Sequence, residues 1–340
     1  MISFNFATMQ EPTRILVIRF SSIGDIVLTT PVVRRLKEQL EGEVEIHYLT
    51  KKQFLHLLQG NPHITKVHTI QKATAEVIEE LKEIGFDYVI DLHRNVRSYM
   101  VKRELKALSF TLKKYNLQKW LLVRFGIDRM PEKHIVDRYL DTIAGFGTKD
   151  DKKGLELFLS EADHLTREQL PENFQKGYVV IAMGGTHEGK RMNDDQLHTL
   201  CSKLPGPLVL LGGPSEAVLG EKLQTEFTYN TISLAGKCTV MQSASIIQKA
   251  KAVLSGDTGM MHVAAAFNVP IVSIWGCTTP NLGMSPYLPA AGSLILEPAG
   301  RSKRPCSKLG HKCKYGMENR CILHVNLEDA VNAVEALLNK

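Results

Sequence analysis

One stretch, residues 252–276 (AVLSGDTGMMHVAAAFNVPIVSIWG), constrains this chain more than any other. A short apolar run at 252–255 has the character of a buried strand. Gly256-Asp257-Thr258-Gly259 follows, a turn with two conformationally permissive residues. Residues 260–267 contain no breaker and three alanines, which predicts a short buried helix. Asn268-Val269-Pro270 ends it, and 271–275 is a second strand. A strand–helix–strand unit of this length requires a parallel sheet. It also sets Thr258 and Gly259 at a helix N-terminus, where free N–H groups and the positive end of the helix dipole favour a phosphate. An ordinary turn between strand and helix would read the same way.

The rest of the chain alternates in the same manner. Residues 14–20 form the first strand, 21–25 a loop, and a helical segment runs to about residue 40 with Pro31 in its first turn or at a bend. Further strands are expected at 43–48, 66–70 and 86–92, with a helical stretch at 75–84. The turn after the first strand has a single glycine, Gly24, and no G-x-G-x-x-G, which disfavours a dinucleotide dehydrogenase. A polar, charged stretch at 147–176 is the expected interdomain connection. A second alternating series begins at 178–182 and continues through 208–212 and 231–234 into the opening unit. The last segment, 326–338, places Leu327, Ala330, Val331, Val334, Leu337 and Leu338 on one helical face behind Asn326 as N-cap.

Charge and cysteine content narrow the class. The formal charge is +6, and residues 94–138 alone carry twelve Lys and Arg against four Asp and Glu, a net +8. Such a tract is either a solvated face or a surface for an anionic partner. Its Tyr99, Phe110, Tyr115, Trp120 and Phe125 are candidates for core. No nucleic-acid module motif accompanies it, so nucleic acid is not the expected partner. No apolar run is long enough to span a bilayer, and 1–14 lacks the pattern of a signal peptide, so a cytosolic location with mostly reduced cysteines is expected. Cys306, Cys313 and Cys321, with His311 and His324, are spaced C-x6-C and C-x7-C, which does not match the short pairs of structural zinc sites, and no metal site is expected.

Five stretches in order resemble glycosyltransferase family 9, the ADP-heptose:lipopolysaccharide heptosyltransferases: ILVIRFSSIGDIVLTTP (15–31), DLHRNVRS (91–98), GGTHEGKRMN (184–193), LGGPSE (211–216) and 252–276. The resemblance spans roughly 14–338 and implies an α/β protein of GT-B architecture, two Rossmann-like domains with parallel sheets facing a central cleft. The acceptor domain would cover 1–160, the nucleotide-sugar domain 161–325, and 326–340 a C-terminal helix that either crosses back onto the first domain or caps its own. The resemblance places Asp25 on the family's general base, as transfer to a hydroxyl requires removal of its proton. Lys190 and Thr186 fall on donor-phosphate contacts, although Met192 and Asn193 stand where the family usually has tryptophan and proline. Glu216 matches the ribose-binding carboxylate, and Asp257, Thr258, Gly259 and His262 the donor turn. Read without the family, Asp25 is a helix cap, Lys190 a solvated charge, Glu216 a dipole-stabilised glutamate, and His262 either packed or facing phosphate. Arg94, Arg97, Lys102 and Arg103 are assigned to the acceptor.

The expected activity is inverting transfer of a heptose from ADP-heptose to a lipid-linked inner-core acceptor at the inner-membrane surface, without a cofactor or catalytic metal. A GT-B epimerase or hydrolase, and a non-catalytic nucleotide- or glycan-binding protein, are the alternatives.

Overall fold

The computed structural model describes residues 11–165 and 170–339. Residues 1–10, which carry most of the stretch read for a signal peptide, and 166–169, inside the expected connection, lie outside the described residues. The chain divides into two compact units, but not by a single cut near residue 160. The first unit takes residues up to Ser21, Thr29–Lys113 and Asp137–Lys153; the second takes Ser22–Leu28, Lys114–Val136 and everything from Gly154.

The first unit holds five strands: β1 (Thr13–Ile18), β2 (Val44–Lys51), β3 (Lys66–Ile70), β4 (Tyr88–Asp91) and β5 (Leu108–Thr111). They form one sheet in the order β3-β2-β1-β4-β5, with every pairing parallel. The apolar run of β1 explains its central place, because Ile15, Leu16, Val17 and Ile18 are all fully buried. The helix expected up to residue 40 is two helices, α1 (Ile23–Val27) and α2 (Thr30–Gln39), with Pro31 in the first turn of the second, where a missing N–H costs nothing. The stretch read as helix at 75–84 begins as a 3-10 turn, Thr74–Glu76, before α3 (Ile78–Ile84). Helix α4 (Val96–Leu105) starts at Asn95, whose side-chain oxygen accepts from the Ser98 N–H at 2.9 Å. Helices α5 (Asn116–Phe125) and α6 (Ile135–Leu140) come next along the chain.

The second unit has six strands: β6 (Val179–Ala182), β7 (Leu208–Leu211), β8 (Thr231–Ser233), β9 (Ala252–Gly256), β10 (Ile271–Ile274) and β11 (Leu294–Leu296). Its sheet runs β8-β7-β6-β9-β10-β11, also parallel throughout. Helices α7 (Asp194–Lys203), α8 (Ala217–Glu226), α9 (Val240–Gln248), α10 (Gly259–Ala266) and α11 (Leu327–Leu338) accompany it. The edge strands β5 and β11 are not among the expected ones; in β11 Leu294 and Ile295 are exposed at the margin of the sheet. The order is that of a doubly wound fold, in which the strand order reverses between β6 and β9 and ligands bind beyond the carboxyl ends of those strands.

Helix α11 lies against α7, β9, β10 and β11 of its own unit. Ala330, Val331 and Val334 join the core of that sheet with Val272, Ile274 and Leu197. Each fully buried valine or leucine of this kind contributes about 1.5–3 kcal/mol, enough to fix the helix there. Its cap is the predicted one, Asn326 accepting from the Glu328 N–H at 3.1 Å.

Candidate donor site and its surroundings

The β6 and β9 loops meet where the sheet order reverses. Lys190 ends a 3-10 turn, Glu188–Lys190, after β6, and its Nζ lies 2.6 Å from Asp257 Oδ2 just beyond β9. The Thr278 hydroxyl, from the loop after β10, donates to the same oxygen at 2.8 Å. Both side chains are mostly enclosed, Lys190 18% and Asp257 8% exposed. Glycines make this approach possible. A Cβ on Gly256 would sit 2.4 Å from the Lys190 carbonyl oxygen, and one on Gly310 would sit 2.8 Å from Lys190 Cγ. The lysine is thus threaded between two backbones with no room for side chains. The family-atypical Met192-Asn193 pair has local roles: Met192 is buried in the core, and Asn193 caps α7 by accepting from the Gln196 N–H at 3.0 Å.

Thr258 and Gly259 stand at the start of α10 as expected, with Thr258 in the N-cap position. Helix α1 packs on this end of α10, again through glycines. A Cβ on Gly24 would come within 2.6 Å of the His262 ring, and one on Gly259 within 3.0 Å of Ile23. This contact brings the segment carrying Asp25 to the N-terminus of α10. Asp25 is half-buried, and its Oδ2 accepts from the Ser22 N–H at 3.2 Å and the Ser22 hydroxyl at 3.0 Å, so it caps α1 and is oriented by that cap. His262 is fully enclosed. Burial drives its pKa down to about 4 against the opposing pull of Asp257, and its Nδ1 has no hydrogen-bond partner among the described residues. A neutral imidazole therefore faces α1, and it carries no phosphate-binding charge near neutral pH.

Glu216, after β7, lies across two glycines; a Cβ on Gly212 would sit 2.7 Å from its own Cβ. Its Oε2 accepts from the Gly213 N–H at 2.8 Å and its Oε1 from the Ser215 hydroxyl at 2.8 Å, with Arg191 at 3.4 Å. Thr186 is exposed in the β6 loop.

The four acceptor candidates separate in the first unit. Arg97 and Arg103 are exposed on α4, and Arg103 meets Glu104 at 3.1 Å. Arg94 adopts a left-handed backbone (φ 50°), and its guanidinium donates to the Leu112 carbonyl at 3.1 Å. Lys102 does not present its charge outward: its Nζ lies 3.0 Å from the buried carboxylate of Asp91 and 2.7 Å from the Thr111 hydroxyl. The tract's aromatic residues are not all core. Tyr99, Trp120 and Phe125 are exposed, and α5 shows Leu117, Trp120 and Phe125 beside Lys119 and Arg124.

Sequence reading missed three features. One is Thr278, which has no motif of its own. The second is His134, whose Nδ1 accepts from the Val136 N–H at 3.1 Å and whose Nε2 lies 2.8 Å from the Ser285 carbonyl. It lines a cavity of about 500 Å³ between residues 128–134 and 280–285. The third is that Cys306, Cys313 and Cys321 converge despite their spacing, joined by Cys277 from the loop after β10. His311 and His324 are not part of the set: His311 stands against His187, and His324 bonds Asn319.

The model of "Glycosyltransferase family 9 (heptosyltransferase)" matches residues 74–311. The lipopolysaccharide core heptosyltransferase OpsX of Haemophilus influenzae is 22% identical over 289 residues, 82% of this chain and 83% of that protein. A family 9 glycosyltransferase structure from Veillonella parvula superposes with a TM-score of 0.74 at 21% identity, covering 96% of this chain and 97% of the other. The E. coli heptosyltransferase WaaC with ADP gives a TM-score of 0.63 at 19% identity over 87% of this chain and 96% of that one.

Proposed function

Because this chain belongs to glycosyltransferase family 9, and is thus a glycosyltransferase with the paired Rossmann-like domains of the GT-B class, we propose that it moves a heptose from ADP-heptose, with inversion, to a lipid-linked lipopolysaccharide inner-core acceptor. The names of its relatives, among them a lipopolysaccharide core heptosyltransferase, support the sugar and the acceptor. The observation that carries the reading is the Lys190–Asp257 pair beside the N-terminus of α10, at the reversal point of a parallel sheet.

In this reading the donor diphosphate lies on the Thr258–Gly259 end of α10 and draws Lys190 away from Asp257. Helix dipole, backbone N–H groups and ammonium then meet the charge that grows on the leaving group. Thr186 adds a hydroxyl from the β6 loop, and Glu216 holds the ribose hydroxyls. Asp25, oriented by Ser22, takes the proton of the acceptor hydroxyl as its oxygen attacks the anomeric carbon and the bond to the diphosphate breaks. His262, neutral and packed on α1, positions Asp25 and supplies no charge. The transfer step requires no metal ion, since lysine and helix end supply the positive charge; adding magnesium or manganese to chelator-treated enzyme should leave the rate unchanged.

Arg94, Arg97 and Arg103 are the acceptor's cations in this account. No described helix is long and apolar enough to cross a membrane. The exposed Leu117, Trp120 and Phe125 of α5, flanked by Lys119 and Arg124, suit peripheral association with the anionic inner-membrane surface. The deciding experiment is Asp25→Asn. Turnover should fall by about 10²–10⁴ with donor affinity nearly intact. A variant that turns over normally would remove the proposed base and favour a binding protein.

A further inference from the structure

Four cysteines that play no part in the transfer reaction lie together in the second unit: Cys277, Cys306, Cys313 and Cys321. Their sulfurs all fall within 4.8 Å of one another. The measured separations are 3.8 Å for Cys306–Cys313, 3.6 Å for Cys306–Cys321 and 3.7 Å for Cys313–Cys321. All four are free thiols, and a disulfide would need sulfurs about 2.05 Å apart. Four thiolates bound tetrahedrally to one ion, with metal–sulfur bonds of about 2.3 Å, require sulfur–sulfur distances of about 3.8 Å. The three separations among Cys306, Cys313 and Cys321 match a tetrahedral tetrathiolate cage, and Cys277 completes the set within 4.8 Å of each.

The surroundings suit the same occupant. Cys277 and Cys321 are fully buried and Cys306 nearly so, which shields the site from water. The backbone N–H groups of Lys314 and Cys321 donate to the sulfurs of Cys306 and Cys277, the bonds that stabilise thiolate charge. A divalent ion with four thiolates carries a net charge of −2. Residues 301–320 supply seven Lys and Arg against one acidic residue, Glu318. Arg304 brackets Cys277, donating to the carbonyls on either side of it, Gly276 at 2.6 Å and Thr278 at 2.7 Å.

The fold also has a need for such an ion. Between β11 and the 3-10 turn Cys321–His324 the chain runs without helix or strand, and Leu309 in it is exposed. Structureless segments longer than about 12–15 residues are uncommon inside a compact domain, because ordering them costs about 1–2 kcal/mol per residue. This one has little apolar burial to offset that cost.

We propose that Cys277, Cys306, Cys313 and Cys321 bind one thiophilic transition-metal ion, zinc or a single iron, in a closed structural site that anchors the 297–325 segment to the loop after β10. With four protein ligands the ion has no open position, which marks a structural site. The four thiols give up their protons to the solvent as they bind, and no redox step is involved. The site also braces the donor lysine. The Cys277 N–H donates to the Gly189 carbonyl at 3.0 Å, and the Gly189 N–H to the Gly310 carbonyl at 3.1 Å. Gly310 lies on the Lys190 side chain, and Thr278, next to Cys277, holds Asp257. The metal assignment stands independently of the donor reading; only this bracing role rests on it.

The test is elemental analysis of the full chain purified without chelators under anaerobic conditions. About one zinc or iron per chain is expected; if it is iron, admitting oxygen to the sample oxidises the ferrous ion and brings up visible thiolate-to-ferric charge-transfer absorption, and if it is zinc no such band appears. The double variant Cys306→Ser/Cys313→Ser should lose the ion, and Cys238→Ser, outside the cluster, should keep it. Should the double variant fail to fold, metal-stripped wild-type chain titrated with cobalt(II) decides the matter: the ligand-field spectrum of tetrahedral cobalt tetrathiolate should saturate at about one equivalent. The proposal is overturned by wild-type chain that holds less than about a tenth of an equivalent and takes up no cobalt, or by a folded double variant that retains the ion. Loss of metal without loss of ADP affinity would remove the bracing role and leave the site.

Discussion

Each sheet places a buried aspartate at the end of the strand beside its reversal point, and each aspartate holds a lysine. In the first unit Asp91 closes β4 and meets Lys102 at 3.0 Å; in the second Asp257 follows β9 and meets Lys190 at 2.6 Å. The resemblance ends with the remaining bonds. Asp91 Oδ1 accepts from the N–H groups of His93 and Arg94 at 3.0 and 2.7 Å, and Oδ2 accepts from the Ser98 hydroxyl at 2.8 Å as well as from Lys102. A carboxylate has about four good acceptor positions, and here all are taken. Asp257 receives Thr278 and Lys190, both on Oδ2. Lys102 comes from the helix that follows Asp91 directly, whereas Lys190 comes from a loop threaded between glycines. A saturated pair on adjoining elements is a staple. A pair with spare capacity, one partner on a loop beside a helix N-terminus, can exchange that partner for a ligand.

The largest effect should follow from Lys190→Ala. Turnover per folded molecule should drop by about 10²–10³, the usual worth of one preorganised donor to a developing anion, beyond any stability lost by leaving Asp257 without its cation. If melting falls steeply and the folded enzyme keeps its rate, the two pairs are alike. Lys102→Ala should do the reverse. It leaves Asp91 buried without its cation, so denaturant unfolding should show a loss of about 1–3 kcal/mol, with the rate per folded molecule unchanged.

Gly24→Ala sharpens the comparison from the helix side. The new Cβ would meet His262 at 2.6 Å, and α1 would have to move off α10. A stability cost of about 1–3 kcal/mol is expected, with a fall in turnover because Asp25 travels with α1. Normal kinetics in that variant would show that α1 need not sit on α10 for catalysis.

The smallest effect is one the two units should share. Burial holds His68 in the first unit and His262 in the second near pKa 4, below the ordinary 6.5. The unfolded chain therefore takes up protons first on acidification, so stability is full above about pH 6.5 and declines as pH falls toward 4. Denaturation midpoints measured across that window should fall, and His68→Gln and His262→Gln should each flatten part of the slope. A flat profile in wild type would contradict the buried neutral rings.

Much of this was legible in the sequence, for identifiable reasons. The central strands are continuous apolar runs, so both parallel sheets could be read except for their edge strands β5 and β11, as could Asn326 and the Thr258–Gly259 turn. Other features depend on what lies across space. Lys102 reads as one more cation of a basic tract; only the fold shows Asp91 beside it. Gly24 reads as a broken dinucleotide motif, whereas its lack of a side chain serves the contact with His262. The C-x6-C and C-x7-C spacings argued against a metal site, and only the fold brings the fourth thiol, Cys277, 29 residues before Cys306, to the other three. The division into units escapes any linear cut, since 22–28 and 114–136 leave the sequence neighbourhood they sit in.

The most direct test of the difference between the two pairs is calorimetric titration of ADP into the wild-type chain, Lys190→Ala and Lys102→Ala at one ionic strength. Lys190→Ala should weaken ADP by about tenfold or more, 1.4 kcal/mol, while Lys102→Ala binds within about twofold of wild type. Equal ADP affinity in wild type and Lys190→Ala, or an equal loss in both variants, would contradict that difference.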